Sequence, residues 1–214
     1  MTNNIALFLH QPQCSIQSIN GIITSLGNRF NFKIFTKHPV ETGFFDDIDI
    51  VCFPGGIGHS DSWDYLLRDN LLAIEDFVKS GGKYLGICMG AYWAGSHYFN
   101  FLKDCDTKQY IKRPAADTRR PHAKSQKIQW QGIEQSMFFY DGCAIVGDGI
   151  NDFNIVATYP NGDAMAVIQD NIGVIGCHPE SQKFWYDSYS YMKSKWHNGY
   201  DNTLLLSFVD KLLK

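Results

Sequence analysis

The sequence has little net charge and no long apolar run. Its 19 Lys and Arg residues nearly balance 22 Asp and Glu residues, which gives a net charge of −3 over 214 residues. This balance provides no electrostatic basis for binding nucleic acid or an anionic membrane. No apolar run approaches the roughly 20 residues that a membrane-spanning helix needs, and the first run, at residues 5–9, is too short for a signal peptide. We therefore expect a cytoplasmic protein that binds neither nucleic acid nor membranes.

The sequence also lacks the paired spacings of metal sites and disulfide frameworks. It contains no Cys-x-x-Cys pair and no His-x-x-x-His pair, so neither a metal nor a cofactor is predicted. Several of the six cysteines lie in apolar segments typical of strands, which favours reduced thiols in the core over disulfides. The cysteines are Cys14, Cys52, Cys88, Cys105, Cys143 and Cys177.

Strand and helix patterns alternate in the first half of the chain. With 44% hydrophobic residues, we predict a single domain over residues 1–214. Short apolar strands at 5–9, 32–35, 48–53 and 84–87 alternate with helical patterns at 15–26 and about 63–79. This order predicts βαβ units and a mainly parallel sheet with helices on both faces. Ligands of such sheets bind at the carboxyl ends of the strands.

The second half has a polar stretch followed by strand patterns. Residues 100–127 are polar and contain a basic cluster, which is compatible with binding an acidic group or with a solvated loop. Five strand-like segments separated by turn residues follow, and they predict antiparallel hairpins that extend or flank the sheet. The basic cluster is Lys112, Arg113, Arg119, Arg120, Lys124 and Lys127. The segments are 127–130, 137–140, 144–146, 153–158 and 164–168. A last strand at 172–177, a helix or irregular aromatic cover at 182–195 and a helix at 203–214 complete the chain.

A Gly-x-Cys-x-Gly motif links the strand at 84–87 to a helical pattern. The pattern Gly86-Ile-Cys88-Met-Gly90 is the cysteine form of the nucleophile elbow, in which the two glycines permit a very tight turn. Cys88 would then project at a helix N-terminus, where free N–H groups favour a thiolate and can face an oxyanion. The same pattern is also compatible with a buried cysteine in an ordinary βα turn.

A glycine-rich loop follows the strand at 48–53. We predict that Gly55 and Gly56 line the elbow and that their backbone, with the N–H of Met89, binds an oxyanion. Taken by itself, without Cys88, the loop is better explained as a plain glycine-rich turn. His59, in the same loop, is a candidate for the substrate pocket, although a histidine on a polar loop is more often a solvated surface group.

A His-x-Glu motif follows the last strand. A thiol nucleophile needs a histidine as base and a third group that fixes the histidine tautomer. His178 and Glu180 fit these two roles, although Pro179 could simply begin a helix. The order glycine loop, elbow, then strand-end His-x-Glu favours a catalytic site in which Cys88, His178 and Glu180 act together.

These motifs resemble the class I glutamine amidotransferase superfamily. Within it, the chain is most similar to the amidotransferase-like N-terminal domain of biotin–protein ligases and to stand-alone bacterial relatives of that domain. The resemblance implies a flavodoxin-like α/β fold with antiparallel hairpin additions. It rests on the elbow, on the His-Pro-Glu segment and on residues 77–82, 86–92, 139–142, 157–159 and 176–180.

Two departures from the family limit what the resemblance implies about activity. Glutaminases of this superfamily carry glutamine four residues after the nucleophile, whereas this chain has Tyr92, which we expect beside the substrate pocket. In addition, no biotin-ligase catalytic domain follows in this sequence. The resemblance therefore implies the fold rather than biotin ligation.

The sequence supports three hypotheses of function. The first is a cysteine hydrolase or amidotransferase-like enzyme that acts on a small-molecule carboxamide or related acyl substrate, other than free glutamine. The second is a non-catalytic binding or regulatory module that partners another enzyme. The third is a glutaminase subunit that supplies ammonia to a separate synthase.

Overall fold

The computed structural model describes residues 3–57 and 60–214, without the side chains of residues 60 and 61. The strands are β1 (Asn3–Phe8), β2 (Phe30–Phe35), β3 (Ile50–Phe53), β4 (Lys83–Ile87), β5 (Asp106–Gln109), β6 (Lys124–Trp130), β7 (Ile133–Phe139), β8 (Cys143–Val146), β9 (Asn154–Thr158), β10 (Ala164–Gln169) and β11 (Ile172–Ile175). The helices are α1 (Ile16–Leu26), α2 (Ser60–Leu67), α3 (Leu71–Lys79), α4 (Met89–Trp93), α5 (Lys183–Asp187) and α6 (Tyr200–Leu212).

One half of the sheet is parallel. Five strands lie in the order β2-β1-β3-β4-β11, and every neighbouring pair among them is parallel. Every residue of β3 and β11 is buried, so both faces of these strands are covered, as a parallel sheet requires. Helices α1 and α6 pack together, and α6 also packs against β11. The predicted α/β fold class is confirmed.

The other half of the sheet is antiparallel and continues from β11. Strands β10, β9, β6 and β7 follow in that order, and β8 branches from β10 to pair with β5. The predicted hairpins therefore extend the same sheet. Strand β5 lies in the segment predicted to be a polar loop. Its residues are only partly buried, and its partner β8 contributes the buried side chains, so β5 has no apolar alternation that a sequence pattern could reveal.

Helix α1 begins and ends where the sequence predicts. The side chain of Ser15 accepts a hydrogen bond from the N–H of Ser18 and caps the helix, and Gly27 follows the last turn. These signals are local, because a cap satisfies backbone groups within one turn of itself.

The predicted helix at 63–79 is two helices, α2 and α3, separated at Asn70. Asn70 is buried, and its amide donates hydrogen bonds to the carbonyls of Thr36 and His38 and accepts one from the N–H of Val40. The prediction of one helix was wrong because these bonds to a distant loop fix the chain at the break.

The helix after Cys88 is shorter than its pattern suggests. Helix α4 ends at Trp93, and the chain then folds back, so that the N–H of Phe99 donates to the carbonyl of Trp93. Trp93 is fully buried between the rings of Phe8 and Phe53. No helix among the described residues is both long and apolar enough to cross a membrane.

Candidate active site

The three sequence motifs follow three adjacent strands of the parallel half. The glycine loop follows β3, Cys88 follows β4 and His178 lies just beyond β11, and these strands are neighbours in the order β3-β4-β11. Because the strands are parallel, their carboxyl ends share one edge of the sheet. The edge therefore brings together groups that lie 90 residues apart in the chain (178 − 88).

Cys88 has the backbone conformation of a strained turn. Its φ is +49° and its ψ is −99°, a region that non-glycine residues rarely adopt. A Cβ at Gly86 would lie 2.4 Å from the carbonyl oxygen of Gly90, and a Cβ at Gly90 would lie 2.2 Å from that of Phe53. Both glycines are therefore required by close backbone approach, which is the geometry of a nucleophile elbow.

His178 and Glu180 form a buried pair. Nδ1 of His178 lies 2.9 Å from Oε1 of Glu180, and the Glu180 side chain is fully buried. The backbone N–H of His178 donates to the carbonyl of Phe138, and the rings of Phe138 and Trp185 lie against the imidazole. These contacts fix the orientation of the imidazole and shield it from water.

The electrostatic environment of His178 favours the imidazolium form. Burial lowers the pKa of His178, but interactions with the side chains of Cys88 and Glu180 outweigh burial and raise it to about 10. Cys88 and His178 also line the same cavity. A cationic imidazole beside a thiol stabilises the thiolate, which is the nucleophilic form of cysteine.

Ser18 joins this pair to the glycine loop, a role that the motifs do not suggest. Its hydroxyl donates to Oε1 of Glu180 at 2.5 Å and accepts from the N–H of Gly55 at 2.9 Å. Ser18 is fully buried on the apolar face of α1, beside Ile19 and Ile22. A serine at a core position of an amphipathic helix is the one sequence signal that could have identified it, because buried hydroxyls need partners.

The N–H groups of Gly55 and Gly56 have different surroundings. The N–H of Gly55 donates to Ser18 and is therefore already engaged in this conformation. Gly55 instead permits close packing, since a Cβ there would lie 2.6 Å from Cε1 of His178. Among the described residues, the N–H of Gly56 has no backbone acceptor, and the N–H of Met89 has none outside helix α4. Both residues line the cavity.

Tyr92 lies beside the cavity, one helical turn beyond Cys88. Its hydroxyl donates a 3.1 Å hydrogen bond to the backbone carbonyl of Asp141. The ring of Tyr92 therefore faces the cavity, whereas its hydroxyl already has a protein partner. His59, the other pocket candidate, lies outside the described residues.

The cavity has a volume of about 960 Å³ and is shared by both halves of the sheet. The parallel half contributes Cys88 and His178, and the antiparallel half contributes Phe138, Tyr140 and Asp141. Among the described residues, no group of three or more His, Cys, Asp or Glu side chains is arranged to hold a metal ion.

Basic side chains of the polar segment form ion pairs with carboxylates of the same protein. Arg113 forms a two-bond ion pair with Asp163, and Lys124 pairs with Asp117. None of the basic residues is among the described residues that line the cavity. These pairs support the interpretation of a solvated, internally bonded loop.

The comparisons with known proteins agree with this geometry. Residues 17–115 match the family model described as the biotin–protein ligase N-terminal domain. The chain has a class I glutamine amidotransferase-like fold. The predicted resemblance is thus confirmed. The matched segment contains the glycine loop, Cys88 and Tyr92, whereas His178 and Glu180 lie beyond it.

Solved structures show the same fold over nearly the whole chain. A glutamine amidotransferase from Thermotoga maritima superposes with a TM-score of 0.70 and 11% identity, covering 100% of this chain and 99% of its own. A second glutamine amidotransferase gives a TM-score of 0.65 and 15% identity, with 98% of each chain covered. One from Methylobacillus flagellatus gives 0.56 and 14%, covering 90% of this chain and 76% of its own. No curated protein matches the chain significantly.

Proposed function

We propose that the protein is a cysteine-dependent hydrolase or amidotransferase-like enzyme that acts on a carboxamide or related acyl substrate. Cys88 is the nucleophile, His178 is the base and then the acid, and Glu180 orients His178. The N–H groups of Gly56 and Met89 bind the oxyanion. The observation that carries this proposal is the strained Cys88 at the end of β4, beside the buried His178–Glu180 pair.

The first half of the reaction forms a thioester. The sulfur of Cys88 attacks the acyl carbon, and the carbonyl oxygen becomes an oxyanion that accepts hydrogen bonds from the two N–H groups. When the tetrahedral intermediate collapses, the carbon–nitrogen bond breaks, and the imidazolium of His178 donates a proton to the leaving amine.

The second half of the reaction releases the acid. Neutral His178 accepts a proton from water as the water oxygen attacks the thioester, and the carbon–sulfur bond then breaks. For a primary carboxamide, one amide and one water become one carboxylic acid and one ammonia. If an amine replaces water, the same steps transfer the acyl group.

Free glutamine is a poor fit to this site. Position 92 carries a bulky ring whose hydroxyl is already bonded to Asp141, whereas the glutaminase pattern has a side-chain amide there. A site built for one hydrogen-bonding pattern rejects other ligands strongly. We expect little ammonia from millimolar glutamine for the native protein, and more for Tyr92→Gln, which restores the side-chain amide.

The alternative is a glutaminase subunit that serves a separate synthase. It is favoured by the solved neighbours, which are described as glutamine amidotransferases. Robust ammonia release from glutamine by the native chain would contradict our proposal and support this alternative.

The proposal is tested by the reactivity of the six thiols. Burial raises the pKa of the other five cysteines, that of Cys14 to about 11. Iodoacetamide at pH 6, followed by peptide mass spectrometry, should therefore modify Cys88 far faster than the rest. In His178→Ala, this labelling should become much slower.

Equal labelling of all six thiols, or labelling of Cys88 that is independent of His178, would overturn the mechanism. That result would favour the non-catalytic binding module, in which the pocket is retained without turnover.

A further inference from the structure

The cavity has an unusual charge distribution. Among its described lining residues, Asp141 is the only carboxylate, and none is lysine or arginine. A ligand with a carboxylate of its own, such as free glutamine, would find no cationic side chain there except His178. Apart from the reacting pair, Cys88 and His178, the charged side chain among the described lining residues is therefore a carboxylate.

Asp141 is held in a strained backbone conformation. Its φ is +113°, far outside the region that aspartate ordinarily occupies. The carbonyl of Asp141 accepts the hydroxyl of Tyr92, and the next residue, Gly142, packs so closely that a Cβ there would lie 1.9 Å from the carbonyl oxygen of Gly176. Strain of this kind persists where the surrounding structure imposes it, often at ligand sites.

Only one of the two carboxylate oxygens of Asp141 has a hydrogen-bond partner among the described residues. Oδ2 accepts a 3.0 Å hydrogen bond from the amide of Gln109, whereas Oδ1 is buried and has no partner among the described residues. Burial raises the pKa of Asp141, and the hydrogen bond from Gln109 and the charge of the exposed Lys112 offset this increase only in part. A carboxylate oxygen that is buried without a partner destabilises the fold. A cation with N–H donors would satisfy this oxygen once the groups that cover it move aside.

Aromatic side chains line the same cavity as this carboxylate. They are Tyr92, Tyr98, Phe138, Tyr140, Trp185 and Tyr189. Aromatic faces attract cations as well as apolar chains. The combination of several rings with a single carboxylate is the chemistry of a site for an organic cation.

We propose that Asp141 binds an ammonium, amidinium or guanidinium group of the substrate, so that the substrate is an amide or acyl compound with a cationic end. The placement of the acyl end at Cys88 rests on the proposed function, whereas the affinity for a cation does not. Gln109 and Tyr92 hold Asp141 in position, and the aromatic walls accept the alkyl chain between the two ends.

The proposal is tested by binding in Cys88→Ala, which cannot turn over. The probes are 4-aminobutanamide, 5-aminopentanamide and 6-aminohexanamide, each paired with a neutral isostere in which a methyl group replaces the ammonium. These isosteres are pentanamide, hexanamide and heptanamide. Isothermal titration calorimetry gives the affinity of each compound.

We expect at least one ammonium probe to bind about tenfold more tightly than its isostere, a difference of about 1.4 kcal/mol. Asp141→Asn in the same background should abolish the preference and leave the affinity of the isostere unchanged. Asp170→Asn is the matched control, because Asp170 also has a positive φ but is not among the residues that line the cavity.

Equal affinity within each of the three pairs would overturn the cation site, and so would a preference that survives Asp141→Asn. The comparison of paired probes in Cys88→Ala needs no change at Asp141, so the test stands even if that variant fails to fold. Failure of the thiol-labelling test with a retained cation preference would reject the enzyme mechanism and leave the cation site in place.

Discussion

The parallel and antiparallel halves of the sheet meet at the β11–β10 pair, and they contribute different parts of one cavity. The parallel half provides the reacting groups, Cys88 and the His178–Glu180 pair, from the ends of neighbouring strands. The antiparallel half provides Phe138, Tyr140 and Asp141 from a hairpin and the turn that follows it. The carboxyl ends of parallel strands lie at one edge of the sheet, so they can hold reacting groups close together. Hairpins and turns tolerate changes of sequence and can therefore set the selectivity for the substrate.

The two halves also differ in how they accommodate charge. In the parallel half, Glu180 and Asp201 are completely buried, and their partners are polar side chains of the core. In the antiparallel half, Arg113 and Asp163 form an ion pair that remains partly exposed. Buried carboxyl groups change the stability with pH, while partly exposed pairs contribute modestly at any pH near neutrality.

The largest expected effect is the loss of acyl transfer when the parallel half is altered at its reacting groups. Cys88→Ala and His178→Ala should each lower hydrolysis of p-nitrophenyl acetate by roughly 10³-fold or more, because members of a triad act as a unit. Cys88→Ala should leave the melting temperature nearly unchanged, since alanine fits the space. Cys105→Ala is the matched control, because Cys105 has the same 8% exposure as Cys88.

One outcome would contradict the division of roles between the two halves. If Cys88→Ala kept its activity while Asp141→Asn abolished it, the reaction centre would lie in the antiparallel half.

A smaller effect is expected at Ser18, which positions Glu180 without touching the substrate. Ser18→Ala removes the hydrogen bond to Glu180 and the one from the Gly55 N–H. It should lower kcat for the same ester about tenfold, with little change in KM. A tenfold change in rate corresponds to about 1.4 kcal/mol in the activation free energy. Ser25→Ala is the control, because Ser25 lies in the same helix and its hydroxyl donates to the carbonyl of Gly21.

Ser25→Ala should lose about 1 kcal/mol in the free energy of unfolding, since it removes one hydrogen bond, and Ser18→Ala should lose more, since it removes two in the core. A purely structural role for Ser18 would give the two variants the same kcat, and that result would remove Ser18 from the site.

The smallest expected effect concerns the pH dependence of stability. It compares the buried carboxyl group of Asp201 with the partly exposed Arg113–Asp163 pair. Burial raises the pKa of Asp201 to about 8, and the negative charge of Glu180 adds to this, whereas an unfolded aspartate titrates near about 3.9. Between these values the folded chain holds a proton that the unfolded chain has released. The free energy of unfolding therefore falls as the pH rises through this window.

Asp201→Asn should flatten this dependence, because asparagine stays neutral in both states. Urea denaturation at pH 4.5 and pH 6 would measure the two slopes below the range in which His178, whose pKa is raised to about 10, also contributes. Asp163→Asn should instead lower the stability by a similar amount at both pH values, since it removes the same ion pair. A slope in Asp201→Asn that equals the native slope would show that another group causes the pH dependence.

The sequence by itself determined the features that depend on neighbouring residues. The turn at Cys88 needs two glycines because backbone atoms approach too closely for any Cβ, and this requirement is visible as Gly86 and Gly90. The cap at Ser15 and the end of α1 before Gly27 are visible for the same reason. The order of strands and helices was sufficient to predict the α/β fold, because parallel strands need crossovers between them.

Only the tertiary structure decided the contacts between distant parts of the chain. Ser18 and Glu180 lie 162 residues apart, and no local pattern connects them. The break at Asn70 depends on bonds to the loop near residue 36, and the half-satisfied Asp141 depends on Gln109 and on the packing of Gly142 against Gly176. Steric requirements between neighbouring residues can be predicted from the sequence. A hydrogen bond between distant residues, in contrast, exists only once folding has brought its partners together.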